Sequence, residues 1–270
     1  MNRLNQINPE TNNSGQGIIR KPKSWFQSFL YQLFPDRCLF CRAIIPISSL
    51  KPLCTTCQKY YSTGGRICPA CEGFFRNEPP CNCHNKSISL EGLLFAALYD
   101  QRWRKLIHDF KYKNRRAVAD PLATWLAFEI LNNSYCQPDL IVPLPLHPDR
   151  ERERGYNQAE LLGCRLAKLL KVSCKSDLLF KTKHTLSQTA ISRHERRRNV
   201  RGAFTCRPEK LHGSTILLVD DVYSTGATMK EAAFILKNET GARVLGAVIA
   251  YNPNIRVMQR SGFYGGLEKW

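Results

Sequence analysis

The strongest constraint on the fold is an apolar run that ends abruptly in two adjacent carboxylates. Residues 216–228 read ILLVDDVYSTGAT, so Asp220 and Asp221 come directly after the run. A continuous apolar run is typical of a strand buried on both faces of a parallel sheet. Because ligands of open α/β sheets bind at the carboxyl ends of the strands, we expect the acidic pair to lie at a binding site.

The loop after the acidic pair is suited to binding one phosphate. It consists of small and hydroxyl-bearing residues, namely Ser224, Thr225, Gly226, Ala227 and Thr228. Small residues let backbone N–H groups approach an anion closely, and the start of a helix adds about half a positive charge. Two adjacent carboxylates can accept hydrogen bonds from two neighbouring sugar hydroxyls. The pattern therefore predicts a site for a 5-phosphorylated ribose.

The surrounding sequence, residues 90–252, alternates strand and helix patterns. Strands are predicted at residues 90–100, 138–146, 214–220 and 242–250, and helices near residue 103, from Asp120–Pro121, at 157–170 and at 228–236, where Gly241 closes the last one. The apolar faces of these helices are predicted to be Trp103, Leu106, Ile107 and Phe110; Leu122, Trp125, Leu126 and Ile130; Leu162, Leu166, Leu169 and Leu170; and Met229, Ala232, Ala233 and Leu236. This alternation predicts an α/β fold with a parallel sheet flanked by helices.

Eight of the twelve cysteines fall between Cys38 and Cys83, in closely spaced pairs. Two Cys-x2-Cys turns can complete a tetrahedral zinc site, and a segment too small to bury its own core needs such a staple. The clearest quartet is Cys38, Cys41, Cys54 and Cys57. A second site would use Cys68, Cys71, Cys81 and Cys83, although the spacing also allows His84, and pairing across the two groups stays open. Structural zinc is the predicted metal.

The remaining four cysteines, Cys136, Cys164, Cys174 and Cys206, are scattered, and we interpret them as small, partly buried hydrophobic residues. The longest apolar run, residues 93–99, is far shorter than the ~20 residues that a transmembrane helix needs. The first residues contain no apolar signal-peptide core, so a cytoplasmic location is expected.

The net charge of +18 is concentrated in two stretches. Residues 101–116 and 181–201 each contain seven Lys or Arg residues against a single acid. Such stretches attract nucleic acids and phosphorylated metabolites alike, so charge alone does not identify the ligand. Tyr112 and Lys113 could contact a single strand of nucleic acid, whereas Trp103 is predicted to belong to the core.

These motifs together resemble a known family. Residues 216–228 resemble the phosphoribosyl pyrophosphate (PRPP) motif of type I phosphoribosyltransferases, with Ser224 where that motif has Thr. Residues 142–163, residues 187–204 and the cysteine-rich segment resemble ComF-type competence proteins. The resemblance implies a zinc-binding module fused to a phosphoribosyltransferase domain. It also implies that the protein handles incoming single-stranded DNA during natural transformation, with contact to the DNA-uptake machinery at the inner face of the membrane.

The resemblance also implies roles for individual residues. Asp220 and Asp221 would be the catalytic acids, and Ser224, Thr225, Gly226, Ala227 and Thr228 would bind PRPP, with Mg2+ as the expected cofactor. The loop after the strand at residues 138–146 would bind pyrophosphate through Arg154, Gly155, Tyr156, Asn157 and Gln158. The alternating Arg and Glu residues just before it are equally typical of a solvated, salt-bridged face. The arginine-rich residues 193–201 correspond to a mobile lid, or to a solvated face.

Two functions follow from this reading. The first is a ComF-like protein that binds PRPP, or a related ribose phosphate, together with single-stranded DNA. The alternative is an active phosphoribosyltransferase that transfers ribose 5-phosphate to an unidentified amine or base. The predicted organisation is a tail and short helix at residues 1–34, a zinc-binding module at 35–89, a phosphoribosyltransferase-like domain at 90–252 and a tail at 253–270.

Overall fold

The computed structural model describes residues 35–46, 51–61, 64–75, 83, 88–183 and 199–253. Within these residues the centre is a seven-stranded sheet with the order β2-β1-β3-β9-β8-β4-β5. Its strands are β1 (Gly65–Ile67), β2 (Phe74–Phe75), β3 (Leu93–Leu98), β4 (Leu140–Pro143), β5 (Ser173–Cys174), β8 (Thr215–Tyr223) and β9 (Arg243–Tyr251). A separate hairpin pairs β6 (Leu179–Lys181) with β7 (Phe204–Cys206).

The five strands from β3 to β5 in this order run parallel, as the sequence predicts. β8 lies between β9 and β4 and pairs with β9 along its whole length, from Thr215 opposite Arg243 to Tyr223 opposite Tyr251. The apolar run has a simple explanation, because alternate residues of β8 are buried in two hydrophobic clusters, one on each face of the sheet. The strand predicted at residues 138–146 is shorter in the structure, where β4 covers only Leu140–Pro143.

The helices are α1 (Thr55–Tyr61), α2 (Gln101–Tyr112), α3 (Ala119–Leu131), α4 (Pro148–Arg154), α5 (Gln158–Leu170) and α6 (Ala227–Thr240). Side chains cap the starts of three of them, since Asp100 accepts hydrogen bonds from the first turn of α2, His147 from that of α4 and Asn157 from that of α5. α6 ends as predicted at Gly241, whose φ of 69° is in the left-handed region that glycine adopts without strain.

The predicted inner faces of α2, α3 and α6 are confirmed, because every residue named for them is buried. On α5 the prediction for Leu169 was wrong. Its side chain is 43% exposed, because Leu169 lies outside the buried stripe that Leu162 and Leu166 form. The start of α3 was also misplaced. A 3-10 turn at Arg116–Val118 leads directly into Ala119, so Asp120 lies within the first turn and its carboxylate accepts a hydrogen bond from Arg165.

The cysteine-rich residues are joined to the α/β fold. β1 pairs antiparallel with β3, so the central sheet continues across the boundary predicted between residues 89 and 90. Cys38, Leu53 and Cys57 belong to the same buried cluster as Trp103, and the Phe40 ring meets the Trp103 ring edge-on at 5.1 Å. The division into domains stays a prediction, and the helix expected before residue 35 lies outside the described residues.

The scattered cysteines differ from one another. Cys136 is buried, in agreement with its interpretation as a hydrophobic residue. Cys164 and Cys174 are half-buried on α5 and β5, and their sulfur atoms lie 2.8 Å apart. Across the described part of the chain, the helices are too short or too polar to span a bilayer.

Candidate functional site

The acidic pair lies at the carboxyl end of β8, next to the turn into α6. Asp220 is half-buried and Asp221 is 4% exposed. The backbone N–H of Asp221 donates to Oδ1 of Asp220 at 2.8 Å, which fixes the Asp220 carboxylate beside the chain. Burial, and then repulsion from Asp221, raise the pKa of Asp220 from 3.8 to about 7. Both acids line one cleft.

A lysine from a distant helix forms an ion pair with Asp221. Lys111, in the last turn of α2, places Nζ 2.8 Å from Oδ1 of Asp221. Burial disfavours the ammonium, but attraction to Asp221 and Asp220 outweighs it, so the pKa of Lys111 is raised. Sequence reasoning missed this residue, because nothing in the spacing of a basic helix reveals which of its lysines meets an acid 110 residues away.

The loop after the acids makes a tight turn into the start of α6. Gly226 adopts a left-handed φ of 69° and begins α6, and a Cβ there would lie only 2.0 Å from the Tyr223 hydroxyl oxygen. Only glycine fits this position. Thr225 Oγ1 accepts from the backbone N–H of Ala227 at 3.4 Å, so the hydroxyl lies at the helix start. Backbone N–H groups of the first turn and the helix dipole favour an anion here.

Three of the five predicted pyrophosphate-loop residues line the same cleft as the acids. These are Arg154, Asn157 and Gln158, and the cleft has a volume of about 490 Å³. Arg154 donates to Gln158 Oε1 at 3.0 Å and to the Tyr112 hydroxyl at 3.0 Å. Asn157 donates to the Leu144 carbonyl at 3.1 Å, which ties the loop to the end of β4. The structure thus brings this loop opposite the acidic pair.

The other two, Gly155 and Tyr156, face away from that cleft. Both line a different cavity of about 710 Å³ between α3, α4 and α5. Gly155 ends α4 with a φ of 76°, and the Tyr156 hydroxyl donates to the carbonyl of Phe110. Their contacts position the loop, since Arg116 donates to the Gly155 carbonyl at 3.0 Å and stacks over the Tyr156 ring.

The rim of the cleft is basic and aromatic. Arg104, His108 and Tyr112 come from α2, Arg150 and Arg154 from α4, and Lys181 from β6. We call the first five of these residues the rim surface. Tyr112 is 53% exposed, with the His108 ring at 5.0 Å and the Arg154 guanidinium 4.9 Å from its ring centre. Trp103, on the other face of α2, is fully buried and belongs to the core, as predicted. Most of the arginine-rich residues 193–201 lie outside the described residues.

Among the described residues, the cysteine sulfurs gather in two separate groups. Those of Cys38, Cys41, Cys54 and Cys57 all lie within 4.8 Å of one another, which suits one metal ion. Burial opposes ionisation of Cys38, but backbone hydrogen bonds from Cys41, Cys54 and Phe40 outweigh it and lower the pKa of the thiol to about 7. Cys68, Cys71 and Cys83 form a second group with the same spread, while Cys81 and His84 lie outside the described residues.

Comparison with known proteins agrees with this architecture. The phosphoribosyl transferase domain family matches residues 156–270. The DNA utilization protein YhgH of Escherichia coli K12 is 30% identical over 216 residues, which cover 78% of this chain and 94% of that protein. Competence protein F of Haemophilus influenzae is 29% identical, with 77% and 93% covered, and competence protein ComFC of Bacillus subtilis is 26% identical, with 71% and 80% covered.

Among solved structures, adenine phosphoribosyl transferase from Trypanosoma brucei is similar at 18% identity and a TM-score of 0.38, over 84% of this chain and 78% of that one. The sheet, the helices on its faces and the matched domain define a protein with a phosphoribosyltransferase-type fold. Within that class, the chain belongs to the family of ComF competence and DNA utilization proteins.

Proposed function

We propose that this protein binds PRPP, or a related ribose phosphate, in the cleft beside β8 and single-stranded DNA on the rim surface, and that it acts in DNA uptake during natural competence. The observation that carries the proposal is the placement of Asp220 and Asp221 directly before an anion-binding turn, with Arg154 on the opposite wall. The two carboxylates can only accept hydrogen bonds, whereas the turn and Arg154 donate them. A ligand that fits the cleft must therefore carry donors at one end and acceptors at the other. A ribose with a 5-phosphate presents both.

The parts of PRPP match the parts of the cleft. Its 5-phosphate would lie at the turn formed by residues 224–228, and its two ring hydroxyls would donate to Asp220 and Asp221. Its pyrophosphate would face Arg154 and Gln158, with Mg2+ bound mainly through phosphate oxygens, as that ion prefers. Asn157 and the buried Tyr156 would hold the loop in place rather than contact the ligand.

DNA is assigned to the rim surface for a chemical reason. A DNA strand has no 2-hydroxyl and its 3-oxygens are esterified, so it cannot offer the acidic pair two sugar donors. Tyr112 instead presents an exposed ring on which a base can stack, beside the cations Arg104 and Arg150. The relatives named for competence and DNA utilization support a role of this kind. A cytoplasmic location and contact with uptake machinery at the inner membrane complete the proposal.

The metal in the proposal is structural zinc. The sulfur quartet supplies four ligands, and the second group would be completed by Cys81 or His84. Cys68 and Cys71 lie between β1 and β2 at the edge of the sheet opposite β5, and β3 and β9 separate these strands from β8. Zinc would therefore stabilise the fold and take no part in chemistry at the cleft.

Ligand-dependent stabilisation tests the ribose-phosphate site. Addition of PRPP with Mg2+ at ~100 times its dissociation constant should stabilise the wild type by about 2.7 kcal/mol. Asp221→Asn should abolish most of this shift. Asp177→Asn, which alters an exposed carboxylate paired with Arg207, should keep it. Equal shifts in all three proteins would contradict the assignment.

Salt-dependent DNA binding tests the rim surface. Fluorescence anisotropy with a labelled oligonucleotide should show log K falling linearly with log salt concentration. Tyr112→Ala should weaken binding by about 1–3 kcal/mol. Lys210→Ala, an exposed lysine near the opposite end of β8, should have little effect. Binding that ignores salt would remove DNA from the proposal.

A transferase activity is the second candidate, and the rings at the cleft favour it. Tyr99, His108 and Tyr112 line the space beyond the acidic pair, where an acceptor base could stack. In that reaction an acceptor nitrogen would bond to the anomeric carbon of PRPP as the bond to pyrophosphate breaks. Release of pyrophosphate with one member of a panel of bases and amines would establish it, and no release with any member would leave binding as the function.

A further inference from the structure

The ion pair between Lys111 and Asp221 occupies the part of the cleft where a cation would otherwise balance the two acids. Nζ lies 2.8 Å from Oδ1 of Asp221, and both side chains are largely withdrawn from water, with 25% and 6% exposed. A surface salt bridge would be transient, but this one is anchored at both ends. Asp221 belongs to the central strand, and Lys111 follows the fully buried Phe110 of α2.

The charge around the acids makes a second cation there unfavourable. Lys181 attracts Asp220 from β6, and Arg104, Arg150 and Arg154 line the same cleft. A divalent ion bound to both carboxylates would have to displace Lys111 or lie against its ammonium group. Like charges at such a distance repel strongly in a partly buried site.

Lys111 also has the right chemistry to assist a sugar. An ammonium group has three N–H donors, and the described residues engage one of them with Asp221. The remaining donors can reach ligand oxygens, while each carboxylate keeps acceptor capacity for ring hydroxyls. The side chain can therefore neutralise Asp221 without preventing it from accepting a hydrogen bond.

We propose that Lys111 takes the place of a divalent cation at the acidic pair, so that this cleft binds the ribose 5-phosphate part of its ligand without metal. Mg2+ is then needed only where a pyrophosphate group is present. Lys111 is a positioning residue in this account, because it acts through Asp221 and sets the metal requirement of the site. The inference rests on the proposed function, since it concerns how the same cleft binds its sugar.

The experiment measures ribose 5-phosphate binding by calorimetry in EDTA and in excess Mg2+. The wild type should bind with dissociation constants that agree within about twofold in the two conditions, a difference of only ~0.4 kcal/mol. PRPP should bind more tightly with Mg2+ than in EDTA. Wild-type binding of ribose 5-phosphate that is about tenfold weaker in EDTA would overturn the inference.

Substitution identifies the residue responsible. Lys111→Gln keeps a donor but loses the charge, so ribose 5-phosphate should bind at least about tenfold more weakly in EDTA and regain most of this loss with Mg2+. Lys111→Arg should behave like the wild type, and so should Lys105→Gln, an exposed position on the same helix. A Lys111→Gln protein that binds normally in EDTA would overturn the assignment, and the two wild-type measurements can still overturn the inference if this variant fails to fold.

The two proposals fail in different ways. Metal-dependent binding by the wild type would overturn the role of Lys111 and leave the ribose-phosphate site intact. No binding of ribose 5-phosphate in either condition would overturn both proposals.

Discussion

The sulfur quartet and the acidic pair both gather groups that repel one another when ionised, but they differ in the source of the balancing charge. At the acidic pair the chain supplies it, through Lys111 at 2.8 Å from Asp221. At the quartet, four sulfurs lie within 4.8 Å of one another, and we propose that a zinc ion supplies it. The geometry of the cleft should therefore survive metal removal, whereas that of the quartet should not.

The largest effect should come from removing one sulfur of the quartet. Cys41 is exposed, so Cys41→Ser creates no cavity, and without a metal it should change stability by less than about 0.5 kcal/mol. If the sulfur binds zinc, the variant should lose several of the roughly 10–16 kcal/mol that structural zinc can contribute. Urea unfolding and zinc content per chain measure the two effects.

The matched control for the quartet is Cys206→Ser, a half-buried cysteine outside both sulfur groups. It should retain zinc and nearly all of the stability. Because the quartet shares a buried cluster with Trp103, its loss should lower the stability of the whole fold and not only of residues 35–61. Equal zinc content in Cys41→Ser and the wild type would show that Cys41 is not a zinc ligand.

The next effect concerns the backbone of the cleft. Gly226→Ala combines a left-handed φ with a Cβ placed 2.0 Å from the Tyr223 hydroxyl, so it should cost about 2–3 kcal/mol and abolish stabilisation by PRPP. Gly213→Ala has a similar φ of 80° but meets nothing within 4 Å, so it should cost only about 1 kcal/mol and retain PRPP binding. Similar losses of stability in both variants would show that the close approach of Tyr223 to Gly226 has no effect.

The smallest effect is a gain in stability. The folded protein holds the proton of Asp220 up to a pH of about 7, whereas the unfolded chain releases it near the ordinary pKa of 3.8. The folded state therefore binds more protons in this window, and the free energy of unfolding falls as the pH rises through it. Asp220→Asn avoids this loss and should be more stable than the wild type by about 1–2 kcal/mol at pH 8.

Denaturation at two pH values checks this prediction. The advantage of Asp220→Asn should largely vanish at a pH near 3.8, where the wild-type carboxyl is protonated in the folded state. The variant should also lose affinity for ribose 5-phosphate, because an amide offers the sugar one acceptor oxygen in place of a carboxylate. A variant that is less stable than the wild type at pH 8 would show that the ionised pair is stabilising.

The sequence predicted the parts of the molecule that depend on local spacing. The apolar run of β8 and the faces of α2 and α6 follow from the periods of strands and helices, and the sulfur quartet follows from paired cysteines within 20 residues of chain. The partners that arrive from far along the chain were missed. Lys111 reaches Asp221, and β1 joins the central sheet, only because the fold brings distant segments together.

The sequence also could not predict which residues of the pyrophosphate loop reach the cleft. The match to the family placed all five residues in one role, but α4 turns at Gly155 and sends neighbouring side chains to opposite sides. Arg154 and Gln158 face the acids, while Tyr156 is buried against α2. A sequence pattern indicates that a loop belongs to a site, but the backbone decides which side chains reach it.

A crystal structure of the protein with ribose 5-phosphate would show directly whether the cleft binds a sugar phosphate. We expect phosphoryl oxygens at the backbone N–H groups of the turn at residues 224–228, and ring hydroxyls within hydrogen-bond distance of Asp220 and Asp221. A sugar phosphate bound elsewhere, with the turn unoccupied and the acids in contact only with Lys111 and water, would contradict it.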